Sequence, residues 1–191
     1  MDAKEKYLLH VCCAPCSPHP LRTLREQYEV TLYFYNPNIH PEGEYQNRLG
    51  EVRRLAALEA LPLIVDDYRP EEWLAGAAPW QDEPEKGRRC EFCIDGRLDA
   101  TARLAAALGI GRFGAVLSTS SRKDVKMINR LGNKAAAMHN DLLFDAADWK
   151  KQEGAKASVR ISNQLGFRRQ DYCGCIFSKC GAETRRNGRA V

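Results

Sequence analysis

The chain has 191 residues, 44% of them hydrophobic and 28% charged, proportions that exclude a disordered, fibrous or low-complexity architecture and indicate a compact fold. Its length suits a single domain with a substantial core. A formal charge of +4, from 29 basic and 25 acidic side chains, permits a nucleic-acid partner without demanding one, so the distribution of charge along the chain matters more than its sum.

No apolar run reaches the roughly 18 residues a membrane span requires. Met1 to Lys6 is rich in charge and leads into no signal-type stretch, so a cytoplasmic protein with no membrane partner is expected. Eight cysteines are many for such a chain. A reducing compartment disfavours structural disulfides, which leaves metal ligation or thiol redox chemistry as the expected use. The cysteines also cluster: Cys12, Cys13 and Cys16 form CCxxC, Cys90 and Cys93 form CxxC, Cys173 and Cys175 form CxC, and Cys180 stands apart.

Strand-like and helix-like stretches alternate. Tyr7 to Val11 reads as a strand ending in cysteines, and Pro18 to Tyr28 as a helix entered through Ser17 with proline in its first turn. Val30 to Tyr35 is a second strand, rich in β-branched and aromatic residues. After the turn-rich NPNIHPEG comes a helix over Glu44 to Leu61, then a short strand over Leu63 to Val65 and a short helix over Glu71 to Gly76. Residues 77–89 read as a loop. Glu91 to Leu108 is an alanine- and leucine-rich helix stopped by Gly109, with Cys93 in its first turn. Phe113 to Leu117 is the fourth strand, Lys123 to His139 a helix, Leu142 to Phe144 the fifth strand and Ser158 to Leu165 the last helix. This alternation predicts one α/β domain: a mostly parallel, five-stranded, Rossmann-like sheet of the PP-loop/HUP type, covered by helices. It occupies residues 1–180, with 181–191 as a basic C-terminal tail.

Open sheets of this kind bind ligands beyond the carboxyl ends of their strands. Polar residues mark each of those ends here: Cys12 and Cys13, Asn36, Asp66 and Asp67, Ser118 to Ser121, and Asp145. Cys12, Cys13, Cys90 and Cys93 together supply a Cys₄ set that suits either structural zinc or an iron–sulfur cluster, and spacing alone does not choose. Cys173 and Cys175, flanking the flexible Gly174, either form a redox-active disulfide or complete a metal site. Cys16 reads as a ligand, a second-metal ligand or a small buried residue at a helix start, and Cys180 as a bystander. His10, inside an apolar strand, reads as a core histidine serving the surroundings of the thiols rather than as a ligand. His40 offers either a substrate contact or turn chemistry, and Asp66 and Asp67 either a carboxylate for the site or caps and turns.

Basic residues gather near the cysteines. Arg88 and Arg89 precede Cys90, Arg168 and Arg169 precede Cys173, and Lys179, Arg185, Arg186 and Arg189 continue the series. Phosphate contacts are the physical use of such patches, with Tyr172 and Phe177 available to stack on bases. Arg89, Arg168, Arg169 and Tyr172 are therefore the candidate RNA contacts.

The strings LLHVCCAPCS (8–17), YNPNIHPEGEYQNR (35–48), RCEFC (89–93) and QDYCGCIFS (170–178) resemble, in order and over nearly the whole chain, the QueH-type epoxyqueuosine reductase family. DDYRPEEW, LSTSSRKDVKMIN and DWKKQEG are weaker matches. The resemblance implies an oxidoreductase that removes the epoxide oxygen of epoxyqueuosine at the tRNA wobble position, the last step of queuosine synthesis. It implies a [4Fe-4S] cluster on Cys12, Cys13, Cys90 and Cys93, and Cys173 with Cys175 as a redox-active pair served by an external electron donor. An additional iron is also implied, with Cys16 and a nearby carboxylate such as Asp67 as candidate ligands. The chain departs from the family pattern at Arg168, where tyrosine is common, and at Ser120, Ser121 and Arg122, which replace a serine-proline-tyrosine-like segment. Two other classes fit parts of the pattern. A PP-loop-like tRNA sulfur-transfer enzyme would carry a glycine-rich phosphate loop where this chain has CCAPC, and a zinc-stabilised RNA-binding module would be redox-silent.

Overall fold

The computed structural model describes residues 4–151 and 153–187. Among them, five parallel strands form one sheet in the order β3-β2-β1-β4-β5. The strands are β1 (Glu5–His10), β2 (Tyr28–Phe34), β3 (Leu63–Val65), β4 (Arg112–Ala115) and β5 (Leu143–Phe144). Tyr7 lies opposite Val30 and Leu9 opposite Leu32 on one side of β1, and Leu8 lies opposite Phe113 on the other. The parallel α/β architecture expected from the alternation of elements is therefore the one observed.

β1 is the central strand, and its residues Tyr7, Leu8, Leu9 and His10 are all fully buried. A strand covered on both faces by helices has no solvent side, so it reads as a continuous apolar run rather than an alternating one. Each such leucine contributes about 1.5–3 kcal/mol by leaving water. His10 fits the core reading: a ring nitrogen lies 3.0 Å from the Tyr35 carbonyl oxygen, and burial, with help from nearby Arg97, lowers the imidazole to about 4. It is neutral at physiological pH. Gly114 of β4 lies against the Tyr7 hydroxyl, where any Cβ would collide with it.

The covering helices are α1 (Pro18–Arg25), α2 (Glu42–Leu58), α3 (Pro70–Ala77), α4 (Arg88–Ala107), α5 (Val125–Ala136), α6 (Gly154–Gln164) and α7 (Ile176–Asn187). α5 buries Ile128, Leu131 and Ala135 at helical spacing, and Asp124 caps it by accepting from the Lys126 N–H at 2.8 Å. It packs beside α4, with ion pairs Arg130–Glu91 and Lys134–Asp95 across the seam. Two differences from the sequence expectation bear on function. α4 starts at Arg88 rather than Glu91, so Cys90 lies in its first turn and Cys93 about one turn further on. α7 continues through Asn187, across position 180, anchored by buried Ser178 and Ala182.

The strand order reverses between β1 and β4. Ligands of open α/β sheets lie at such a switch point, and it is flanked here by the segment after β1, which carries Cys12, Cys13 and Cys16, and the segment after β4, residues 116–124.

Candidate metal and redox centre

Adjacent cysteines on a strand point to opposite faces. β1 ends at His10, and a 3₁₀ turn over Ala14–Cys16 redirects the chain, so that the Sγ atoms of Cys12, Cys13 and Cys16 all lie within 4.8 Å of one another. Pro15 sits inside that turn, and the Ser17 hydroxyl closes it by donating to the Cys13 carbonyl oxygen at 2.8 Å. Thr119, from the segment after β4, donates to the Cys16 carbonyl oxygen at 3.1 Å and so joins the two loops of the switch point. Hydrogen bonds from the Cys13 and Cys16 thiols hold the Cys12 thiol well below its usual range, while Cys16 is pushed up to about 12. Three sulfurs gathered this closely, one of them made more acidic by the other two, are an arrangement ready to take a soft metal.

The second pair comes from α4. The Lys86 N–H donates to Cys90 Sγ at 3.2 Å, and one turn on, Arg97 grips Cys93 twice, from Nε to its carbonyl oxygen at 3.0 Å and from Nη2 to its Sγ at 3.3 Å. Cys93 is buried, which pushes its thiol up, and Arg97 opposes the shift.

The third pair sits on a clamped loop. Gly174, at φ +127°, takes a backbone conformation that a side chain strains, and its carbonyl oxygen accepts from the His40 N–H at 2.8 Å. Arg48, buried on α2, donates from Nη1 to the Cys173 carbonyl oxygen at 3.1 Å and from Nη2 to that of Tyr172 at 3.3 Å. Glu44 holds Arg48 Nε at 2.7 Å and pairs through its other oxygen with Arg168. The Tyr172 hydroxyl donates to the His40 carbonyl oxygen at 2.6 Å, and the Cys173 N–H donates to the Ser178 hydroxyl at 2.9 Å.

The two thiols of this loop are electrostatically unlike. Lys123 Nζ lies 2.8 Å from Cys173 Sγ. Burial works against the Cys173 thiolate, but Lys123 and Arg97 outweigh it and lower this thiol, whereas burial and the neighbouring Cys173 push Cys175 up to about 12. Cys173 is the more acidic thiol of the pair.

Two cavities meet at Cys173 and Lys123. One, of about 410 Å³, is lined by Cys12, Cys13 and Cys16 together with Arg48, Lys150 and Arg169. The other is a crevice of about 20 Å³ lined by Cys90, Cys93, Cys175 and Arg97, with room for about one water. Only the first admits a nucleoside-sized ligand, and its rim is cationic.

A model of the family Epoxyqueuosine reductase QueH matches residues 7–181. The chain belongs to the QueH family. Its relatives include Epoxyqueuosine reductase QueH of Haemophilus influenzae, 39% identical over 178 residues that make up 93% of this chain and 73% of the relative. The protein of that name from Acinetobacter baylyi is also 39% identical, over 93% of this chain and 82% of the relative. That from Thermotoga maritima is 35% identical over 90% of this chain and 88% of the relative. The family is one of oxidoreductases.

Within this QueH site, the expected residues divide. Cys12 and Cys13 are gathered with Cys16, while Cys90 and Cys93 stand with Cys173 and Cys175 around the narrow crevice. Asp67 is not turned to the thiols: it pairs with Arg69 at 2.9 Å with its side chain 74% exposed, so as a candidate ligand it is set aside. Arg89 is no RNA contact either. It is buried, donates to the carbonyl oxygens of Trp80, Gln81 and Glu83, and lies over the Phe177 ring. Arg168 and Arg169 are exposed, and half-buried Tyr172 carries Arg48 over its ring. His40 acts as backbone support for the Cys173 loop, and Asp66 accepts from the Tyr33 hydroxyl. Cys180 is exposed on α7, and Arg189 lies outside the described residues. Sequence reasoning missed Arg48, Arg97 and Lys123, the buried cations among the thiols. The polar end of β4 reads as Ser118 to Ser121, two residues short of Lys123.

Proposed function

We propose that this chain reduces the epoxide of epoxyqueuosine in tRNA to the alkene of queuosine, with release of water. The observation that carries the reading is the meeting of three cysteine clusters at Cys173 and Lys123, on the floor of a cationic cavity large enough for a nucleoside. It is supported by the relatives' shared name and by a site built from the motifs that resemble the family's.

Cys12, Cys13, Cys90 and Cys93 would hold a [4Fe-4S] cluster, a group that takes four thiolates; Cys12, Cys13 and Cys93 are buried, Cys90 is half-buried, and Arg97 stands against Cys93. When bound, such a group supplies one-electron transfer and Lewis-acid help to a leaving oxygen. Cys16, gathered with Cys12 and Cys13, is the thiol left for an additional iron. Arg169 and Lys150 at the rim would take phosphates, while Arg168 is tied to Glu44 beneath. Cys173 and Cys175 would supply two electrons and finish as a disulfide, which an external reductant reopens. A tRNA substrate and a chemistry that needs reduced thiols support a cytoplasmic location for the reaction. Among the described residues no helix is long and apolar enough to cross a membrane.

The test is iron and acid-labile sulfide analysis of anaerobically purified protein, followed by conversion of epoxyqueuosine-containing tRNA. About four irons and four sulfides, lost in Cys90→Ala, together with queuosine formation, are expected. Stoichiometric zinc without sulfide, and unconverted tRNA, would overturn the reading in favour of a zinc-stabilised RNA-binding protein.

A further inference from the structure

Arg97, on α4, is 3% exposed. A guanidinium keeps its charge at every working pH, and a buried one is costly unless a countercharge meets it. The usual countercharge is a carboxylate. For Arg97 the four acidic groups that act on it most strongly are all cysteines: Cys93, Cys173, Cys12 and Cys90. Three of these are the expected cluster ligands, and the guanidinium bonds directly to one of them, from Nη2 to Cys93 Sγ at 3.3 Å.

We propose that Arg97 sets the reduction potential of the cluster, its buried charge and its bond to Cys93 Sγ raising that potential by favouring the reduced state. This rests on the cluster reading above, with Cys93 as a ligand. Arg97 acts through Cys93 and touches neither substrate nor the reacting atoms, so it is a positioning residue.

The geometry suits the role. Arg97 Nε donates to the Cys93 carbonyl oxygen at 3.0 Å, so two bonds from one planar group hold it against a single residue one helical turn back. The Thr101 hydroxyl, fully buried on the following turn, donates to the Arg97 carbonyl oxygen at 2.7 Å. Cys90 Sγ, by contrast, accepts from a neutral donor, the Lys86 N–H at 3.2 Å. Among the described residues, Arg97 is the one charged group that donates a hydrogen bond to a sulfur of the four-cysteine set.

Hydrogen bonds to ligand sulfurs and nearby charge are two levers by which a protein tunes an iron–sulfur potential. An electron added to a four-thiolate site makes it more negative, and a fixed cation beside it stabilises that state more than the oxidised one. The step moves one electron from a one-electron carrier to the site. No bond forms or breaks, and no proton moves, because arginine holds its own. An external donor of weaker reducing power then suffices.

The test measures a potential rather than turnover. The full chain is purified anaerobically, its iron and sulfide are quantified, and it is titrated with dithionite and mediators while the EPR signal of the reduced cluster is followed. In Arg97→Gln, which removes the charge, the equilibrium constant for reduction should fall about tenfold, a shift of about 59 mV to lower potential. Arg97→Lys keeps the charge and should stay closer to wild type. A loaded Arg97→Gln protein with an unchanged or higher potential would overturn the proposal, as would a lower potential in Arg97→Lys than in Arg97→Gln.

Where neither variant loads iron, the wild-type protein decides. With ¹⁵N-labelled arginine, the reduced cluster should show an electron–nuclear coupling to a guanidinium nitrogen, carried through the Cys93 hydrogen bond. No such coupling would overturn the proposal. Zinc without sulfide in the wild type, or a cluster retained in full by Cys93→Ala, would instead overturn the ligand reading, and the role of Arg97 with it.

Discussion

Arg48 Nη1 donates to the Cys173 carbonyl oxygen at 3.1 Å, across 125 residues of sequence. That single guanidinium joins the helix after the second strand to the loop that carries the reactive sulfur, and Glu44 keeps it in register from one helical turn away. The position of Cys173 against Lys123 is therefore fixed by α2 on one side and by the turn before α5 on the other. A thiol pair must meet in one geometry to exchange electrons, and a clamped loop supplies that geometry in advance.

Arg48→Met removes the clamp and leaves the buried Glu44 carboxylate with Arg168 but without its bond to Arg48, so a loss of about 1–3 kcal/mol in urea unfolding is expected. Glu44→Gln preserves an acceptor for Arg48 but loses the ionic part of its links to Arg48 and Arg168, and about 1–3 kcal/mol is expected to go. The folded Glu44→Gln protein should also favour the Cys173–Cys175 disulfide less in a thiol redox buffer. An unchanged disulfide equilibrium would show that Arg48 supports the fold without positioning the loop.

Gly174→Ala meets the same clamp from the other side. Its Cβ would lie 3.1 Å from Arg48 Nη1 and 3.2 Å from Ile39 Cγ1, on a backbone held at φ +127°. A side chain in that region costs about 1–3 kcal/mol. Thermal unfolding should show that loss, and the loop should relax enough to expose Cys175 to alkylation. Wild-type stability and a protected Cys175 would mean that the loop adapts freely.

The sign of the pH dependence differs between the two sulfurs. A lowered thiol pKa means that thiolate is already present at lower pH, so Cys173 labelling by iodoacetamide should reach its half-maximal rate below the ordinary value of 9.0. Cys175 stays a thiol until about 12 and should label slowly across the working range. Lys123→Met removes the cation that supports Cys173 and should move its half-point upward. Peptide mass spectrometry after timed labelling distinguishes the two sites, and equal profiles for both sulfurs would contradict Cys173 being the more acidic of the two.

The sheet was legible in the sequence because each βα unit carries its own local signals: an apolar run, a polar strand end, and a helix with its proline or cap. The cysteine motifs were legible for a similar reason, being short and dense. The buried cations were not. Lys123, Arg97 and Arg48 look like ordinary polar residues of their helices and turns, and only the fold brings thiols from other segments against them. Arg88 and Arg89 show the limit most directly: they are neighbours in one string, yet helix phase leaves the Arg88 side chain 76% exposed and turns Arg89 inward. α7 escaped notice because KCGAETRR is polar in composition, although Ser178 and Ala182 are buried among distant partners.

That split between neighbouring basic residues gives a prediction about tRNA. Arg169 is exposed at the rim of the broad cavity, where it would meet a phosphate, so Arg169→Ala should weaken tRNA binding at low salt and reduce the salt slope by about 1. Arg89→Met should leave the slope unchanged. Its cost should appear in stability instead, because the carbonyl oxygens of Trp80, Gln81 and Glu83 lose their donor and each such loss is worth about 1–3 kcal/mol. Binding titrations at several salt concentrations, with urea unfolding of the same proteins, separate the two effects. A changed salt slope in Arg89→Met with unchanged stability would return Arg89 to the RNA surface.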